Sequence, residues 1–449
     1  MIGGKQSGMN KTTSLCPVCL DIVSAEVFEK DGKMTMSKEC KIHGVFESTH
    51  FWEDPTIYNF MKELIGDSEC GNPDGLLVDV NCECNMNCPY CWVSDHAKTV
   101  KQTTMEELKS IISVFQGSSI YLSGGEPTCR ADLPEMVKTI RDNGKEPVIF
   151  TNGLKFSNVD YALSIKEAGA GMIIFNFNSF DRRQCIKLYG DDIYDMKFKG
   201  LNNVLDMGIP VYLYVILKKG VNEDQINSVL DFATERSQYL RVIDFQTIWD
   251  IKNGAGGEVL TQTGILDLLK SERGILLEDF LQSTAFSHYF FEIYRKVLGR
   301  GGRRSPRCEL RCYLVAANKS LTPITKVLDM EKLNYKLKLL NSRLDRSGLP
   351  KMITFLLGFP YVFLIGEFIM KNEFRRIVIS NVRNTITSLF QKKRFPAYSA
   401  TDIVSIMLGR FHDRFNVDLD FTKTCTFHAV CRDGKHESFC TREIMRSGK

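Results

Sequence analysis

Four thiols fall within ten residues in the stretch Cys82-Glu-Cys84-Asn-Met-Asn-Cys88-Pro-Tyr90-Cys91. Of these, Cys84, Cys88 and Cys91 follow Cys-x3-Cys-x2-Cys spacing. A 4Fe-4S cubane normally takes four thiolates, so a loop that supplies three can leave one iron open to a substrate or cofactor. A closed zinc knot or a fully ligated electron-transfer cluster would use the same thiols. Two further groups have metal-ligand character. Cys16-Pro-Val-Cys19 and Cys40-Lys-Ile-His43-Gly form two knuckles whose three thiolates and one imidazole suit zinc or a single iron. Cys308 and Cys312 stand at i and i+4, the spacing of one face of a helical turn, and with Cys425 and Cys440 they count to four, enough to close a second 4Fe-4S site. His428 could replace one of those ligands or serve as an ordinary polar neighbour.

The surrounding pattern indicates what must hold these groups. Between the N-terminal knuckles, the runs Val23 to Phe28 and Lys33 to Met36 meet at Lys30-Asp-Gly32, a hairpin turn. Leu76 to Asn81 reads as a strand that delivers the cysteine loop. Apolar runs then recur at Ile120 to Leu122, Pro147 to Thr151, Met172 to Phe177, Val211 to Leu217 and Val242 to Ile248, with helical segments between them. Thr104 with Glu107 makes a capping box, and Asn222 with Gln225 suggests another. Six strand-helix units in succession predict an α/β fold with a parallel sheet, better matched to an open six-stranded barrel than to a closed eight-stranded one. Active-site residues then belong at the strand C-terminal ends. The cysteine loop, Ser123-Gly124-Gly125-Glu126, Thr151-Asn152-Gly153 and Asn176 to Asp181 all fall there. Gly124 and Gly125 allow close backbone approach to a ligand, and Glu126 offers a carboxylate to an amine.

The 449 residues divide on this reading into a metal knuckle domain (1–70), the barrel (71–300) and a basic, mainly helical C-terminal domain with an auxiliary iron-sulfur site (301–449). No apolar leader stands at the N-terminus, which makes a cytoplasmic location the expectation, and the 15 cysteines are then thiols or metal ligands. From Arg300 to Lys449 roughly 28 Lys and Arg oppose 13 Asp and Glu, although the chain's net charge is only +4. Such a surplus is either a solvated surface or an attraction to anionic phosphates or lipid headgroups.

Through Cys84-x3-Cys88-x2-Cys91, with Tyr90 before the last cysteine, and the following Ser-Gly-Gly-Glu-Pro, the chain resembles the radical S-adenosylmethionine (radical SAM) superfamily. The resemblance implies that Cys84, Cys88 and Cys91 hold a 4Fe-4S cluster whose open iron chelates the methionine amine and carboxylate of S-adenosylmethionine (SAM). It also implies that Gly124, Gly125 and Glu126 cradle the amine, that Tyr90 lies by the adenine, and that Asn152 contacts the ribose or methionyl group. Cleavage of SAM would yield a 5'-deoxyadenosyl radical able to take hydrogen from an unactivated carbon.

A wider set of features, the N-terminal knuckles, Phe245-Gln246, Cys308-x3-Cys312 and Cys425-x2-His428 with Phe439-Cys440, looks like the archaeal tetraether lipid synthase family. That group includes lipid ring synthases and proteins labelled pterin methyltransferases. The resemblance implies C–C bond formation at sp3 carbons of isoprenoid lipids, an auxiliary cluster for electron transfer and a low-potential electron donor such as ferredoxin. The family's Cys-Gly-x-Cys segment before the SAM loop is absent, since only Cys70 and Cys82 stand there. Cys82, Cys129 and Cys431 are additions, either inert buried thiols or ligands that the family pattern does not predict, with inert thiols the favoured reading.

In the basic third, Met330 to Arg346 sets Leu333, Leu337, Leu340 and Leu344 at helical spacing. Met352 to Met370 is apolar but interrupted by Pro360 and Glu367, too short to span a membrane. With Lys371, Arg375, Arg376, Arg383, Lys392, Lys393 and Arg394 close behind, it predicts peripheral docking on an anionic membrane surface at the inner face, with a lipid substrate and no nucleic-acid partner.

Overall fold

The computed structural model describes residues 10–66, 73–91, 102–248, 260–298, 308–346, 350–351, 402–431 and 434–447, with positions 374, 376, 379 and 380. Four antiparallel strands come first, β1 (Asn10–Leu15), β2 (Ile22–Lys30), β3 (Lys33–Cys40) and β4 (Gly44–Thr49), in that order across the sheet. Lys30 pairs with Lys33, and Asp31 and Gly32 between them both take positive φ (51° and 72°), as a two-residue hairpin turn requires. Alternation buries Ala25, Val27, Met34 and Met36 on one face. Helix α1 (Pro55–Ile65), capped by the Asp54 carboxylate, leads to the second sheet.

Strands β5 (Gly75–Asn81), β6 (Ser119–Gly124), β7 (Glu146–Thr151), β8 (Met172–Asn176), β9 (Val211–Leu217) and β10 (Leu240–Thr247) are consecutive, mutually parallel neighbours, as the six recurring apolar runs imply. Their connections carry α2 (Met105–Val114), α3 (Leu133–Asp142), α4 (Val159–Glu167), α5 (Arg182–Tyr189), α6 (Tyr194–Asp206) and α7 (Ile226–Arg236); α8 (Gln262–Arg273) and α9 (Leu277–Leu298) follow β10. The helices cover one face of the sheet. Val211, Leu213, Val215 and Leu217 of β9 point into that layer, each fully buried side chain contributing about 1.5–3 kcal/mol. The alternate residues Tyr212 and Tyr214 face the other, concave side.

The C-terminal third extends the same sheet at both ends. After β11 (Glu309–Ala317), β12 (Ser320–Pro323) and α10 (Met330–Arg346) comes β13 (Ile403–Gly409), which runs parallel to β10 and antiparallel to β11. Following α11 (Leu419–Thr422), β14 (Phe427–Val430) runs parallel to β5 and pairs with β15 (His436–Ser438), and the last helix is α12 (Phe439–Ser447). The eleven strands therefore run β12-β11-β13-β10-β9-β8-β7-β6-β5-β14-β15. On α10, Leu333, Leu337, Leu340 and Leu344 are buried, as their spacing indicates.

Two local expectations are corrected. Cys308 and Cys312 do not share a helical turn: Cys312 lies within β11, where the β-branched and aromatic stretch Tyr-Leu-Val pairs with β13. Asn222 does not cap α7. Its side chain accepts from the Lys218 amide and donates to the carbonyls of Asn178 and Ile216, tying the ends of β8 and β9 together, and the helix starts at Ile226 after a 3-10 turn. The apolar segment 352–370 and its following cations, Arg376 apart, lie outside the described residues, as does Cys70. Among the described residues no helix is long and apolar enough to cross a membrane.

Candidate active site and metal centres

The cysteine loop leaves the C-terminal end of β5 and is fastened to the loop after β6 by backbone. Gly125 N donates to Asn81 O at 2.6 Å and Glu126 N to Glu83 O at 2.7 Å. The Asn81 amide adds bonds to the carbonyls of Glu83 and Glu126 and accepts from the Glu83 N–H. A Cβ at Gly124 (φ +117°) would lie 2.1 Å from Asn81 O, and one at Gly125 would lie 2.2 Å from Glu83 O. The two glycines are thus required by the approach of the cysteine loop's own backbone.

Glu126 is buried, 2% exposed, and couples two loops. Its Oε1 accepts from Thr128 N, Thr128 Oγ1 and Thr151 Oγ1, and its Oε2 accepts from Asn152 N at 2.7 Å. Four fixed donors hold the carboxylate in place, with lone-pair capacity left on Oε2 for an ammonium group. Asn152 in turn donates to Asn85 Oδ1 at 2.7 Å and lies 4.0 Å from Cys84 Sγ, so it touches the cysteine loop.

The three thiols are held in one loop, with Cys91 N donating to Cys88 O. Cys84 is exposed at the rim, and Cys88 and Cys91 are half-buried. Loss of water around Sγ pushes the Cys84 thiol up to about 11, and the negative charges of Glu126, Cys91 and Cys88 add to the rise. Burial also raises Cys88, opposed by Lys197. Thiols gathered on one loop become thiolates when a metal of high positive charge replaces their protons. This donor set fits a 4Fe-4S group with one iron free of protein ligands. Tyr90 turns its phenol inward beside Cys88, Asn178 and Cys185, and burial raises it well above the usual range.

Lys197 is absent from any motif, yet it stands directly behind this loop. Its side chain on α6 is fully buried; Nζ donates to Asn152 O at 2.5 Å and lies 4.4 Å from the Tyr189 ring centroid. Burial lowers the ammonium to about 8, against the attraction of Cys88, Glu126, Cys185 and Cys84. Its sequence context, Tyr-Asp-Met-Lys-Phe, reads as an ordinary amphipathic helix, so no sequence signal sets it apart.

The concave face has two characters. Leu77, Tyr121, Phe150, Phe411, Phe427 and Phe439 form an apolar, largely aromatic patch near β5. Toward β10, Tyr212 Oη and Gln246 Nε2 donate to the buried Asp244 carboxylate, whose acid form burial favours, raising it to about 7.

At the N-terminus the ligand atoms of Cys16, Cys19, Cys40 and His43 all lie within 4.8 Å of one another, a spacing that fits a single tetrahedral ion. His43 Nδ1 is 3.5 Å from both Cys16 Sγ and Cys40 Sγ. In the C-terminal third, Cys308 is half-buried, within electrostatic reach of Cys425 and Cys440; loss of water first, then Glu309, then these two thiols push it well above the ordinary thiol range. Cys312 lies farther along the strand. Its side chain packs in the main core with Leu310 and Leu314, and its charged neighbours are Asp279 and Lys326. His428 donates to or accepts from His436 at 2.9 Å and bonds Cys425 O through Nε2. Of the additional cysteines, Cys129 is exposed, whereas Cys82 and Cys431 are half-buried.

Residues 80–233 match the Radical SAM superfamily, and residues 9–51 match the HMPTM N-terminal zinc ribbon domain. The chain is 27% identical to 7,8-dihydro-6-hydroxymethylpterin dimethyltransferase of Methanocaldococcus jannaschii, covering 97% of this chain and 93% of that protein. It is 29% identical to a probable GTP 3',8-cyclase of Pyrococcus abyssi over 40% of this chain, spanning 58% of the cyclase. Among solved structures, SuiB of Streptococcus suis bound to S-adenosylmethionine aligns over 41% of this chain and 42% of SuiB, with 16% identity and a TM-score of 0.35. The three-thiol loop, its backbone lock to Gly-Gly-Glu and the sequence match over 80–233 converge: this chain carries a radical SAM domain behind an N-terminal zinc ribbon.

Proposed function

We propose that this radical SAM enzyme takes hydrogen from unactivated sp3 carbons of archaeal isoprenoid lipid chains and so forms C–C bonds, as a tether, bridge or ring. The observation that carries the radical chemistry is the locked pair of loops, Asn81–Cys91 and Gly124–Glu126, at the strand C-terminal ends. In this reading Cys84, Cys88 and Cys91 hold the 4Fe-4S cluster, and Glu126 Oε2 with the Gly124–Gly125 backbone receives the SAM amine. Tyr90 and Asn152 support the loop from either side. Bound together, cluster and SAM supply one-electron cleavage and a hydrogen-abstracting radical. The chain's own residues orient SAM and keep water from the concave face.

Support for a lipid substrate comes from the partly exposed rings of Tyr121, Phe150 and Phe427, which edge a cluster packed on buried Leu77, Ala429 and Phe439 and would give an alkyl chain an apolar neighbour. The resemblance of the N-terminal knuckles, Phe245-Gln246 and Cys425-x2-His428 to the tetraether lipid synthase family supports the same reading, whereas a relative that matches 97% of the chain is a pterin dimethyltransferase. Cys308, Cys425 and Cys440 would hold the auxiliary cluster that passes electrons from a low-potential donor such as ferredoxin, and the basic third would rest on the anionic inner membrane face. A second reading, methylation of a pterin, is favoured by a different observation: buried Asp244, with Tyr212 and Gln246, offers polar recognition of a heterocycle. Reduced enzyme with SAM, offered archaeal diether or tetraether lipids in one set and a dihydropterin in another, separates them by mass spectrometry. Lipid products with 5'-deoxyadenosine support the first reading; turnover with the pterin alone overturns it.

A further inference from the structure

Lys197 is a cost to the fold unless its charge has a use. An ammonium group taken wholly out of water loses its hydration, and it must recover that loss from nearby acceptors and negative charge. Among the described residues its one hydrogen-bond acceptor is the Asn152 carbonyl, which engages one of its three N–H groups. The faces of Tyr189 and, at 5.9 Å, Phe175 supply cation–π attraction. What remains is the Glu126 carboxylate and, once a metal has replaced their protons, the thiolates of Cys88 and Cys84. Holding the Asn152 carbonyl needs only a neutral donor, which a glutamine would provide without burying a charge.

Building on the assignment of the cluster to Cys84, Cys88 and Cys91, we infer that Lys197 is the buried countercation of that loop, a positioning residue that holds the thiolate set together and favours the reduced cluster. The reasoning is electrostatic. Three thiolates bring three negative charges to the cluster, and the electron delivered by an external reductant adds another. A fixed cation behind Cys88 therefore stabilises the reduced state more than the oxidised one, with little screening because no water reaches Nζ. Lys197 makes no contact that places it on the reacting atoms, so its effect passes through the loop.

The test is a redox titration, followed by electron paramagnetic resonance, of anaerobically reconstituted full-length protein with dithionite as reductant. It compares wild type with Lys197→Met, Lys197→Gln and Lys197→Arg and reads the iron signal that added SAM perturbs. The expected result is that Met and Gln each lower the reduced-to-oxidised ratio at fixed potential about tenfold, 59 mV for one electron, while Arg restores it. Gln retains a donor for Asn152 O and so separates charge from hydrogen bonding. If the Met and Gln proteins fail to retain iron in the loop and Arg retains it, the countercation role stands through assembly. The inference is overturned if Met or Gln titrates like wild type, or if Arg fails alongside them. A wild-type protein whose iron signal ignores SAM, and is unchanged in Cys88→Ala, would instead refute the assignment of the cluster loop itself.

Discussion

Arg442 of the last helix donates to the Asp79 carboxylate of the first barrel strand at 3.0 Å across 363 residues of sequence, and both side chains are nearly sealed from water. Arg446 reaches the same oxygen at 2.8 Å, and Glu443 lies beside both guanidinium groups. Strand β5, which delivers the cysteine loop, is thereby tied to α12, whose second residue is Cys440. Removing Asp79 leaves two largely buried guanidinium groups to share the single Glu443 carboxylate. Asp79→Ala should lower unfolding free energy by about 3 kcal/mol and speed hydrogen exchange in α12, as read by denaturant titration and exchange mass spectrometry.

Gly125 has no room for a methyl group, because its Cβ would sit 2.2 Å from Glu83 O in the backbone of the cysteine loop. Gly125→Ala should displace that loop and cut its iron content severalfold while leaving metal in the N-terminal ribbon. Metal analysis with separate counts for iron and zinc checks this; full iron loading would contradict it.

Glu126 accepts from four donors, among them Asn152 N and Thr151 Oγ1. In Glu126→Gln an amide N–H must face one of these donors, and the charge offered to an ammonium is lost. A charge-assisted hydrogen bond contributes about 1.5–3 kcal/mol, so SAM affinity should weaken about tenfold or more with iron content retained. Equilibrium binding of SAM to the reconstituted protein measures this.

His50 and His412 flank Phe51 where the ribbon meets the C-terminal segment, with ring centroids at 4.5 and 4.3 Å from it. Burial holds His50 down at about 3, reinforced by His412, and His412 at about 4. Trp52 N donates to His50 Nδ1, which a proton there would disrupt. Unfolded histidines take up protons near pH 6.5 and these two do not, so stability is whole above that pH and is lost as pH falls toward 4 and then 3. By pH 4.5 each ring should cost about 2–3 kcal/mol, and melting temperatures measured from pH 7 to 4.5 should fall less in His412→Gln than in wild type.

The sequence revealed most where chemistry imposes spacing or burial imposes periodicity. The parallel strands β5 to β10 announced themselves as apolar runs because one face packs on the helices and the other lines the concave interior, and the Asp31-Gly32 turn because positive φ restricts the residues that fit. The ribbon ligands were legible for the same reason: tetrahedral coordination from a hairpin fixes their pairing. Cys312 was misread because i, i+4 spacing also recurs on one face of a strand, where four residues span about 13 Å and cannot serve one compact site. Asn222 was misread because a capping residue and a buried bridge between strand ends use the same side-chain groups. Lys197 and Asp79 left no local trace, since their partners are distant in the chain.

The most direct test is reductive cleavage of SAM by the anaerobically reconstituted, dithionite-reduced protein, with 5'-deoxyadenosine quantified by liquid chromatography and mass spectrometry. Wild type should form it, and Cys88→Ala, with its ribbon metal intact, should not. Iron-loaded wild type that binds SAM yet forms no 5'-deoxyadenosine, or Cys88→Ala that forms as much, would contradict the assignment of radical chemistry to the Cys84–Cys91 loop.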